Sequence, residues 1–386
     1  MEFAHVSGLA GEVVVTSRVL FAANRGFALL GSRRALMERL MSQGHAVAIA
    51  TANDEHAHKL ESLGIQRFAV DFRRGGVAPI ADLCVLKQLL QIYRSWRPQL
   101  VHHFHAKPMF YGALAARAAG VPSVVNTVTG LGESMPERGL RSRLSRQMYA
   151  HACNMARFTV FQNSDDMALF QRGGLVPQDG ARLITSSGVD VRRFLPGEGV
   201  DAPARVVCMA RLLKKKGIHE FIQAARLVRA RLDLPVVFEL AGEWDIDHPD
   251  AISEAELSSW NFDEAVRFIG YCQKPETWLA GASAFVCPSV YREGVPRVIL
   301  EAAACGVPVI GTDAPGIRDV LKEGQTGYLV APFDVAAIAE RLVTVLSDSG
   351  RVAEMSASAR RLMESQFDIE HITDQYLDLY REAGLS

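Results

Sequence analysis

Residues 291–306 place two glutamates around the start of a predicted helix. Pro296 suits the first helical position, because its ring sets φ and its missing N–H needs no partner there. Gly306 suits the residue just after the last turn. This predicts that Glu293 lies in the loop before the helix, and that Glu301 faces out more than one turn inside it.

The start of this helix has the character of an anion site. The N–H groups of Gly294, Val295 and Arg297 are expected to be free, and the positive end of the helix favours a phosphate. The two flanking carboxylates would accept hydrogen bonds from sugar hydroxyls. A capped amphipathic helix with two solvated glutamates is the alternative interpretation.

A basic cluster, residues 211–216, follows directly on a predicted strand, residues 205–210, and ends at Gly217. A guanidinium can bind a diphosphate with two parallel hydrogen bonds, and an ammonium acts as a point charge. We therefore expect Arg211 and Lys216 to meet a diphosphate, and Lys214 and Lys215 to be solvated.

Two common nucleotide motifs are missing from the sequence. Gly130 and Gly132 begin a glycine-rich turn, but Met135 stands where a third dinucleotide-binding glycine belongs. No P-loop pattern is present either. Both a dinucleotide oxidoreductase and a P-loop NTPase thus lose their main support.

Three histidines lie close together near a predicted strand end, at positions 102, 103 and 105, with Lys107 beside them. Such a group suggests a metal, but no carboxylate or cysteine cluster at metal spacing accompanies it. The sequence favours a polar role in a cleft for His105 or Lys107 over a zinc site.

A run of arginines extends from Arg138 to Arg157 without an acidic residue between them. Its members are Arg138, Arg141, Arg143, Arg146 and Arg157, interleaved with apolar side chains. A basic amphipathic stretch of this kind can rest on anionic headgroups or bind a lipid diphosphate. The alternative is a helix packed on a sheet, with its arginines in solvent.

Repeated strand–turn–helix units must position these residues. Predicted strands cover residues 18–23, 45–51, 65–70, 100–104, 123–126, 158–161 and 183–185 in the first half, and 205–210, 236–241, 266–269 and 284–288 in the second. Predicted helices cover residues 32–43, 83–94, 111–119 and 218–230. This rhythm is typical of parallel α/β sheets and predicts two doubly wound, Rossmann-like domains joined near 195–203. Ligands of such sheets bind at the carboxyl ends of the strands, so we expect the site in a cleft between the domains.

Composition supports a folded protein of about two domains. The chain has 386 residues, of which 49% are hydrophobic and 22% charged, enough apolar surface to offset the entropy of ordering. We expect neither a membrane span nor a secretion signal, since no run of 18 apolar residues is present. The six cysteines lie far apart and are expected to be reduced core thiols.

The net charge of −1 hides an uneven distribution. Residues 1–195 contain 23 basic and 14 acidic side chains, a balance of +9, whereas residues 196–386 contain 19 and 29, a balance of −10. Such a distribution allows one face to approach an anionic surface while the whole remains neutral. Chance distribution of solvated charge explains it equally well.

The ordered set of motifs resembles one family, the retaining GT-B glycosyltransferases of the fourth sequence family. Glu293 and Glu301 are similar to its E-x7-E motif, and Arg211 with Lys216 to its R…KG motif. The resemblance covers nearly the whole chain and is greatest to the subgroup that extends lipid-linked saccharides. Its further segments are residues 24–33, 101–108, 126–132, 161–166, 187–190 and 312–319.

The resemblance implies roles for individual residues. Glu293 would contact the transferred sugar, Glu301 the ribose hydroxyls, and Arg211 with Lys216 the diphosphate. The remaining donor contacts implied are Gly294, Val295, Pro296, Tyr271 and Cys272, the last two holding the base through the main chain. The acceptor or cleft residues implied are Asn24, Arg33, His105, Lys107, Thr129 and Gly130. Thr129 stands where many relatives carry a histidine that touches the donor.

The expected enzyme moves a sugar from a nucleotide-diphosphate donor, UDP-linked in our interpretation, to a polyprenyl-diphosphate-linked saccharide with retention. We expect no metal, no other cofactor and no nucleic-acid partner. The expected domains are 1–195 for the acceptor, 196–365 for the donor, and a C-terminal helix, 366–386, that returns to the first. We expect a cytoplasmic protein, peripheral on the inner face of the cell membrane, held there by Arg138, Arg141, Arg143 and Arg146. A sugar-nucleotide epimerase or phosphorylase on the same fold, or a catalytically silent sugar-nucleotide-binding protein, stays open.

Overall fold

The strands of the computed structural model form two parallel sheets. The structure describes residues 16–72, 79–132, 134–135, 139–197, 203–246, 248–261 and 265–386. Within these residues one sheet has seven strands in the order β3-β2-β1-β4-β5-β6-β7, and the other has six in the order β10-β9-β8-β11-β12-β13. The α/β fold class predicted from the sequence is confirmed.

The first sheet consists of β1 (Arg18–Ala22), β2 (Ala46–Thr51), β3 (Gln66–Ala69), β4 (Leu100–Phe104), β5 (Ser123–Val128), β6 (Phe158–Phe161) and β7 (Ala181–Leu183). Its helices are α1 (Gly26–Ser32), α2 (Arg34–Ser42), α3 (Glu55–Glu61), α4 (Pro79–Trp96), α5 (Ala106–Ala119), α6 (Leu140–Met155) and α7 (Ser164–Arg172). The inner strands β1 and β5 are buried along almost their whole length and are rich in apolar residues, because both faces of a parallel sheet are covered. In the register, Val19 of β1 lies between Val47 of β2 and Leu100 of β4.

The second sheet consists of β8 (Ala204–Met209), β9 (Val236–Ala241), β10 (Arg267–Gly270), β11 (Ala284–Cys287), β12 (Val309–Thr312) and β13 (Gly327–Val330). Its helices are α8 (Ile218–Arg231), α9 (Glu254–Asn261), α10 (Pro275–Ala280), α11 (Arg297–Ala304), α12 (Ile317–Val320), α13 (Val335–Ser347), α14 (Ser349–Leu362) and α15 (Ile369–Glu382), with a 3-10 turn at Lys214–Lys216 and a π-helical turn at Met363–Phe367. No helix in the described part of the chain has the length and apolar character that crossing a membrane requires.

Most predicted strands are confirmed to within a residue or two. The bounds of the strand predicted at 183–185 were wrong by two residues, since β7 covers Ala181–Leu183. The single helix predicted at 32–43 was also wrong, because the chain leaves helical geometry at Arg33, where φ is −131°. This break turns the Arg33 guanidinium onto the Phe104 ring, 4.9 Å from its centroid.

The cysteines follow the expectation in part. All six are free thiols, and Cys153, Cys208, Cys287 and Cys305 are buried. The expectation was wrong for Cys84, which is exposed on α4, and Cys272 is only half-buried.

The chain divides into two compact units, residues 1–125 with 377–386 and residues 126–376. The chain passes between them inside β5 and again inside α15. In the first unit, Tyr380 of the returning segment packs against β4, where its hydroxyl lies 2.5 Å from His102 Nδ1. The expected domain limits at 195 and 365 stay predictions.

Arg360 of α14 ties together separate segments of the second unit. Its guanidinium donates to the carbonyl oxygens of Phe194 at 2.6 Å, Ala304 at 2.7 Å and Val191 at 2.8 Å. One side chain thus provides hydrogen-bond donors for carbonyl groups at the end of α11 and in the segment that follows β7. Removal of the Arg360 guanidinium would leave these three carbonyl oxygens without their charge-assisted hydrogen bonds.

We predict that Arg360→Ala lowers the free energy of unfolding by about 3 kcal/mol, since hydrogen bonds to a charged group contribute roughly 1.5 to 3 kcal/mol each and solvent replaces some of them. Urea unfolding followed by far-ultraviolet circular dichroism measures the change. The neighbouring Arg361 is exposed, and Arg361→Ala should stay within about 0.5 kcal/mol of the wild type. Equal effects of the two substitutions would contradict the role given to Arg360.

Candidate functional site

Glu293 lies in the loop between β11 and α11, as predicted. α11 begins at Arg297, and Pro296 is its N-cap with an extended ψ of 114°. The prediction that Pro296 is the first helical residue was therefore wrong by one position. Gly306 follows the helix with φ of +69°, a conformation that glycine adopts without strain.

The main chain of the Glu293 loop is paired with the loop that follows β5. Gly294 N–H donates to Thr129 O at 2.9 Å, and Gly132 N–H donates to Arg292 O at 2.7 Å. The expectation of a free N–H at Gly294 was thus wrong, because a neighbouring carbonyl already accepts it. Anion binding by Gly294 would require that bond to break.

Two glycines make this pairing possible. A Cβ at Gly130 would lie 2.3 Å from Glu293 Cα, and a Cβ at Gly316 would lie 1.8 Å from Gly294 O. Both have positive φ, +100° and +83°. No side chain fits at either position, so the Glu293 loop is enclosed by main chain on two sides.

Lys216 and Glu293 form an ion pair at the carboxyl ends of β8 and β11. Lys216 Nζ bonds to Glu293 Oε1, with the lysine side chain only 10% exposed. The 3-10 turn reaches this point because Gly217 passes the carbonyl of Pro288, where a Cβ would lie 2.2 Å from that oxygen. Main-chain pairing of Val290 N–H with Lys215 O at 2.9 Å holds the same two segments together.

Arg211 lies beside this pair. Its Nη1 donates to Asp245 Oδ2 at 3.0 Å. The Tyr291 ring lies near both cations, 5.9 Å from the Arg211 guanidinium and 5.3 Å from Lys216 Nζ. Two positive side chains thus lie near one aromatic ring, and each is partnered by a carboxylate.

Sequence reasoning did not identify Asp245 as part of this arrangement. A signal was available, since Asp245 follows the predicted strand that ends at Ala241. β9 is the sheet neighbour of β8, so residues after both strands meet at one edge.

A further set of polar residues borders the Glu293 loop from α7. Asn163 donates from Nδ2 to Gly294 O at 3.2 Å, and Asp166 pairs with Arg292 at 2.9 Å. Asp165 pairs with Arg318 at 3.1 Å, and Ser164 N–H donates to Asp319 Oδ1 at 3.0 Å. The segments 161–166 and 312–319, which belong to the family resemblance, therefore lie in the surroundings of Glu293.

Glu301 lies inside α11 but does not face out. It is 8% exposed, with one carboxylate oxygen 3.3 Å from Arg297. The expectation of an outward side chain was wrong, because Glu301 lies in the second turn of α11, where its side chain is buried. Burial raises the pKa of Glu301, and the nearby positive charge of Arg297 opposes that rise.

The raised pKa predicts that Glu301 opposes folding at neutral pH. A carboxyl group whose pKa is higher in the folded state contributes stability at low pH, and loses it as the pH rises through the folded value. We expect Glu301→Gln to raise the melting temperature at pH 8, with the gain shrinking as the pH falls toward 5. Calorimetry at several pH values measures this, with the exposed Glu354→Gln as control. A Gln variant that is less stable than the wild type at pH 8 would contradict it.

The predicted base-binding residues lie in the turn after β10. Gly270 ends the strand with φ of +71°, and Tyr271 is exposed. Cys272 is half-buried, and burial raises the pKa of its thiol. The turn presents main chain at the carboxyl end of β10, at the edge where β9 also ends.

The first unit contains the other predicted cleft residues. Asn24 follows β1 and His105 follows β4, and the register places these neighbouring strand ends side by side. Lys107 pairs with buried Asp82 at 3.0 Å. Burial, aided by the charge of Arg33, lowers the pKa of His105 to about 4, so its imidazole is neutral at pH 7. Neither His105 Nδ1 nor Asn24 Oδ1 has a hydrogen-bond partner among the described residues.

The other two histidines of the cluster are core residues. His102 lies against the Tyr380 hydroxyl, and His103 Nε2 lies 3.0 Å from the Tyr93 hydroxyl. Burial lowers the pKa of His102 well below its ordinary value. In the described part of the chain, no group of three or more His, Cys, Asp or Glu side chains could hold a metal ion.

The middle of the predicted arginine run forms α6, Leu140–Met155, and Arg157 follows the helix. Arg141 and Arg143 are exposed and Arg146 is half-buried, whereas Arg138 lies outside the described residues. Leu140, 82% exposed, and Leu144 also lie at the surface. Tyr149 and Cys153 bury the opposite side of the helix.

Comparison with known families matches both parts of the chain. Residues 18–164 match the family described as "Glycosyl transferase 4-like", and residues 203–348 match "Glycosyl transferases group 1".

Two curated relatives match most of the chain. The N,N'-diacetylbacillosaminyl-diphospho-undecaprenol alpha-1,3-N-acetylgalactosaminyltransferase of Campylobacter jejuni is 24% identical over 380 residues, 94% of this chain and 98% of the relative. The UDP-Gal:alpha-D-GlcNAc-diphosphoundecaprenol alpha-1,3-galactosyltransferase of Escherichia coli is 25% identical over 330 residues, 82% of this chain and 84% of the relative.

Solved structures share the fold. Anabaena HepE, solved in complex with UDP and glucose, superposes with a TM-score of 0.77 at 19% identity, over 95% of this chain and 100% of that one. A glycosyltransferase from Rickettsia africae gives a TM-score of 0.78 at 16% identity, over 95% and 98%. The GT-B fold expected from the sequence is confirmed.

Proposed function

We propose that this chain, which carries a glycosyl transferase 4-like domain and a glycosyl transferases group 1 domain on a GT-B fold, moves a sugar from a UDP-linked donor to a lipid-linked saccharide with retention. The process served is the assembly of a surface polysaccharide or glycan. The observation that carries the proposal is the meeting of Lys216, Arg211 and Glu293 at the carboxyl edge of the second sheet. Relatives named for transfer to undecaprenol-linked saccharides support the acceptor class.

Arg211 and Lys216 receive the donor diphosphate. Without the donor, Arg211 is paired with Asp245 and Lys216 with Glu293. The diphosphate therefore binds two cations whose positions these carboxylates already fix. Preorganised charge of this kind stabilises a leaving group without reorganisation during the reaction. No metal ion and no other cofactor is needed for that task.

Glu301 accepts hydrogen bonds from the ribose hydroxyls. Because the glutamate is buried, its carboxylate has a fixed position before the ligand binds. The main chain at Tyr271 and Cys272 holds the base, while Val295 and Pro296 line the donor beside Gly294. Acceptor contacts come from Asn24, Arg33, His105, Lys107, Thr129 and Gly130. A neutral His105 suits hydrogen bonding to a sugar hydroxyl.

The reaction breaks the bond between the anomeric carbon and the diphosphate oxygen. The acceptor hydroxyl oxygen bonds to that carbon on the same face, and its proton passes to the departing phosphate. A double displacement through Glu293 would need a carboxylic acid about 5 Å away. Glu293 is paired with Lys216, and in the same-face reaction the departing phosphate takes the place of a second carboxyl group as proton acceptor.

The function is tested by incubating the protein with UDP- and GDP-sugars and membrane extract, with and without EDTA, and following nucleotide release and product. Sugar transferred to a lipid fraction, unaffected by EDTA, is the expected result. An interconverted sugar nucleotide would identify an epimerase, and phosphate-dependent cleavage a phosphorylase. Nucleotide binding without turnover would identify a silent binding protein.

We predict that Arg211→Ala and Lys216→Ala each reduce turnover by ~100-fold or more, because each removes one charge from the leaving diphosphate. Lys214→Ala is the control, since Lys214 is an exposed lysine of the same turn. Steady-state transfer rates measure the effect. Full activity in both test variants would overturn the placement of the donor.

We propose that α6 holds the protein at the inner face of the cell membrane. Its exposed arginines lie beside exposed Leu140 and Leu144, a pairing of charge and apolar surface that suits anionic headgroups. Each basic residue near such a surface contributes ~1 kcal/mol. The basic first half of the sequence adds to this attraction.

We predict that replacing Arg141, Arg143 and Arg146 with Ser weakens sedimentation with anionic liposomes at low salt, and slows transfer to a lipid acceptor more than to a soluble one. High salt should release the wild type, because it screens surface charge. The same change at Arg226, Arg229 and Arg231 on α8 is the charge-matched control. Unchanged liposome binding in the α6 variant would place the attachment elsewhere.

A further inference from the structure

Asn163 occupies a buried position between α7 and the Glu293 loop. It follows β6, is fully buried, and is the N-cap of α7 with φ of −145°. Its Oδ1 accepts from Asp166 N–H at 2.7 Å. Since that N–H can only donate, the oxygen of the Asn163 amide must face it.

The other end of the same amide therefore faces the Glu293 loop. Nδ2 has two hydrogens, and its acceptors are Asp166 Oδ2 at 3.0 Å and Gly294 O at 3.2 Å, with Glu293 O at 3.5 Å. One side chain thus caps a helix and donates to the main-chain carbonyls of two consecutive residues, Glu293 and Gly294.

The surrounding contacts leave the loop little freedom. Asp166, the residue capped by Asn163, also pairs with Arg292, which precedes Glu293. A Cβ at Gly294 would lie 2.5 Å from Gln162 Oε1. The main chain at Glu293 and Gly294 therefore rests on the strand end and the first turn that Asn163 organises.

α11 cannot supply this support by itself, because Glu293 lies four residues before its first helical residue. A loop carboxylate keeps its position only if other elements hold its main chain. Displacing a reacting group by about 1 Å can cost ~100-fold in rate.

We infer that Asn163 is a positioning residue, which holds the Glu293 carboxylate against the transferred sugar through its hydrogen bonds to the carbonyls of Glu293 and Gly294. The inference rests on the proposed function, which assigns Glu293 to that sugar. Asn163 touches neither donor nor acceptor in this scheme.

Two substitutions distinguish the role of the amide oxygen from that of the amide nitrogen. Asn163→Ser keeps an oxygen suited to an N-cap but removes the amide Nδ2 that donates to the Glu293 loop, whereas Asn163→Ala removes both groups. We expect both variants to lose ~10- to 100-fold in kcat while UDP binding by calorimetry stays within about 3-fold. The melting temperature should fall further in the Ala variant. Asp334→Ser, a change at the exposed N-cap of α13, should leave kcat unchanged.

Hydrogen exchange gives a readout that does not depend on turnover. Gly294 N–H is bonded to Thr129 O, so loosening of the loop should speed exchange in a peptide covering 289–296 by about 10-fold or more in the Ser variant. A Ser variant with wild-type kcat, or with unchanged exchange in this peptide, overturns the inference. If the wild type transfers no sugar, the proposed function fails, and the exchange measurement alone still decides whether Asn163 holds the loop.

Discussion

The main chain at Glu293 and Gly294 lies closer to its neighbours than any side chain would allow, and the arrangement of the site depends on this contact. Gly130 and Gly316 approach from two sides, and Thr129 O accepts the Gly294 N–H. A larger residue at either glycine would force these segments apart. The contact explains how a carboxylate in an irregular loop has a defined place, ready to meet Lys216.

Charge in this region is balanced locally. Lys216 pairs with Glu293, Arg211 with Asp245, Arg292 with Asp166 and Arg297 with Glu301. Partly buried charges are costly without partners, since desolvation disfavours each ion. For the proposed donor this has a consequence: its diphosphate displaces carboxylates from cations that are already oriented. The buried Glu301 and Asp166 both have raised pKa values, because burial outweighs their partners.

Much of the site could be predicted because parallel strands bring their carboxyl ends to one edge. Arg211 after β8 and Glu293 after β11 are far apart in sequence, yet β8 and β11 are sheet neighbours. Sequence reasoning missed Asp245, although its place after the strand that ends at Ala241 was a usable signal. It could not find the role of Asn163, because Glu293 and Gly294 lie 130 and 131 residues away in the chain. It also misjudged Glu301, because the helical pattern does not reveal what packs over the outer side of α11.

The sequence by itself determined the α/β class, most of the strands, the loop position of Glu293 and the cations after β8, since apolar runs, turn residues and capping residues act over a few positions. Only the tertiary structure decided that Gly294 N–H is taken by Thr129, that Glu301 is buried, that His102 and His103 are core residues bonded to tyrosines, and that Asn163 holds the Glu293 loop. Those outcomes depend on which distant segments pack together. Local patterns contain no information on that pairing, because it follows from the strand order of the whole sheet.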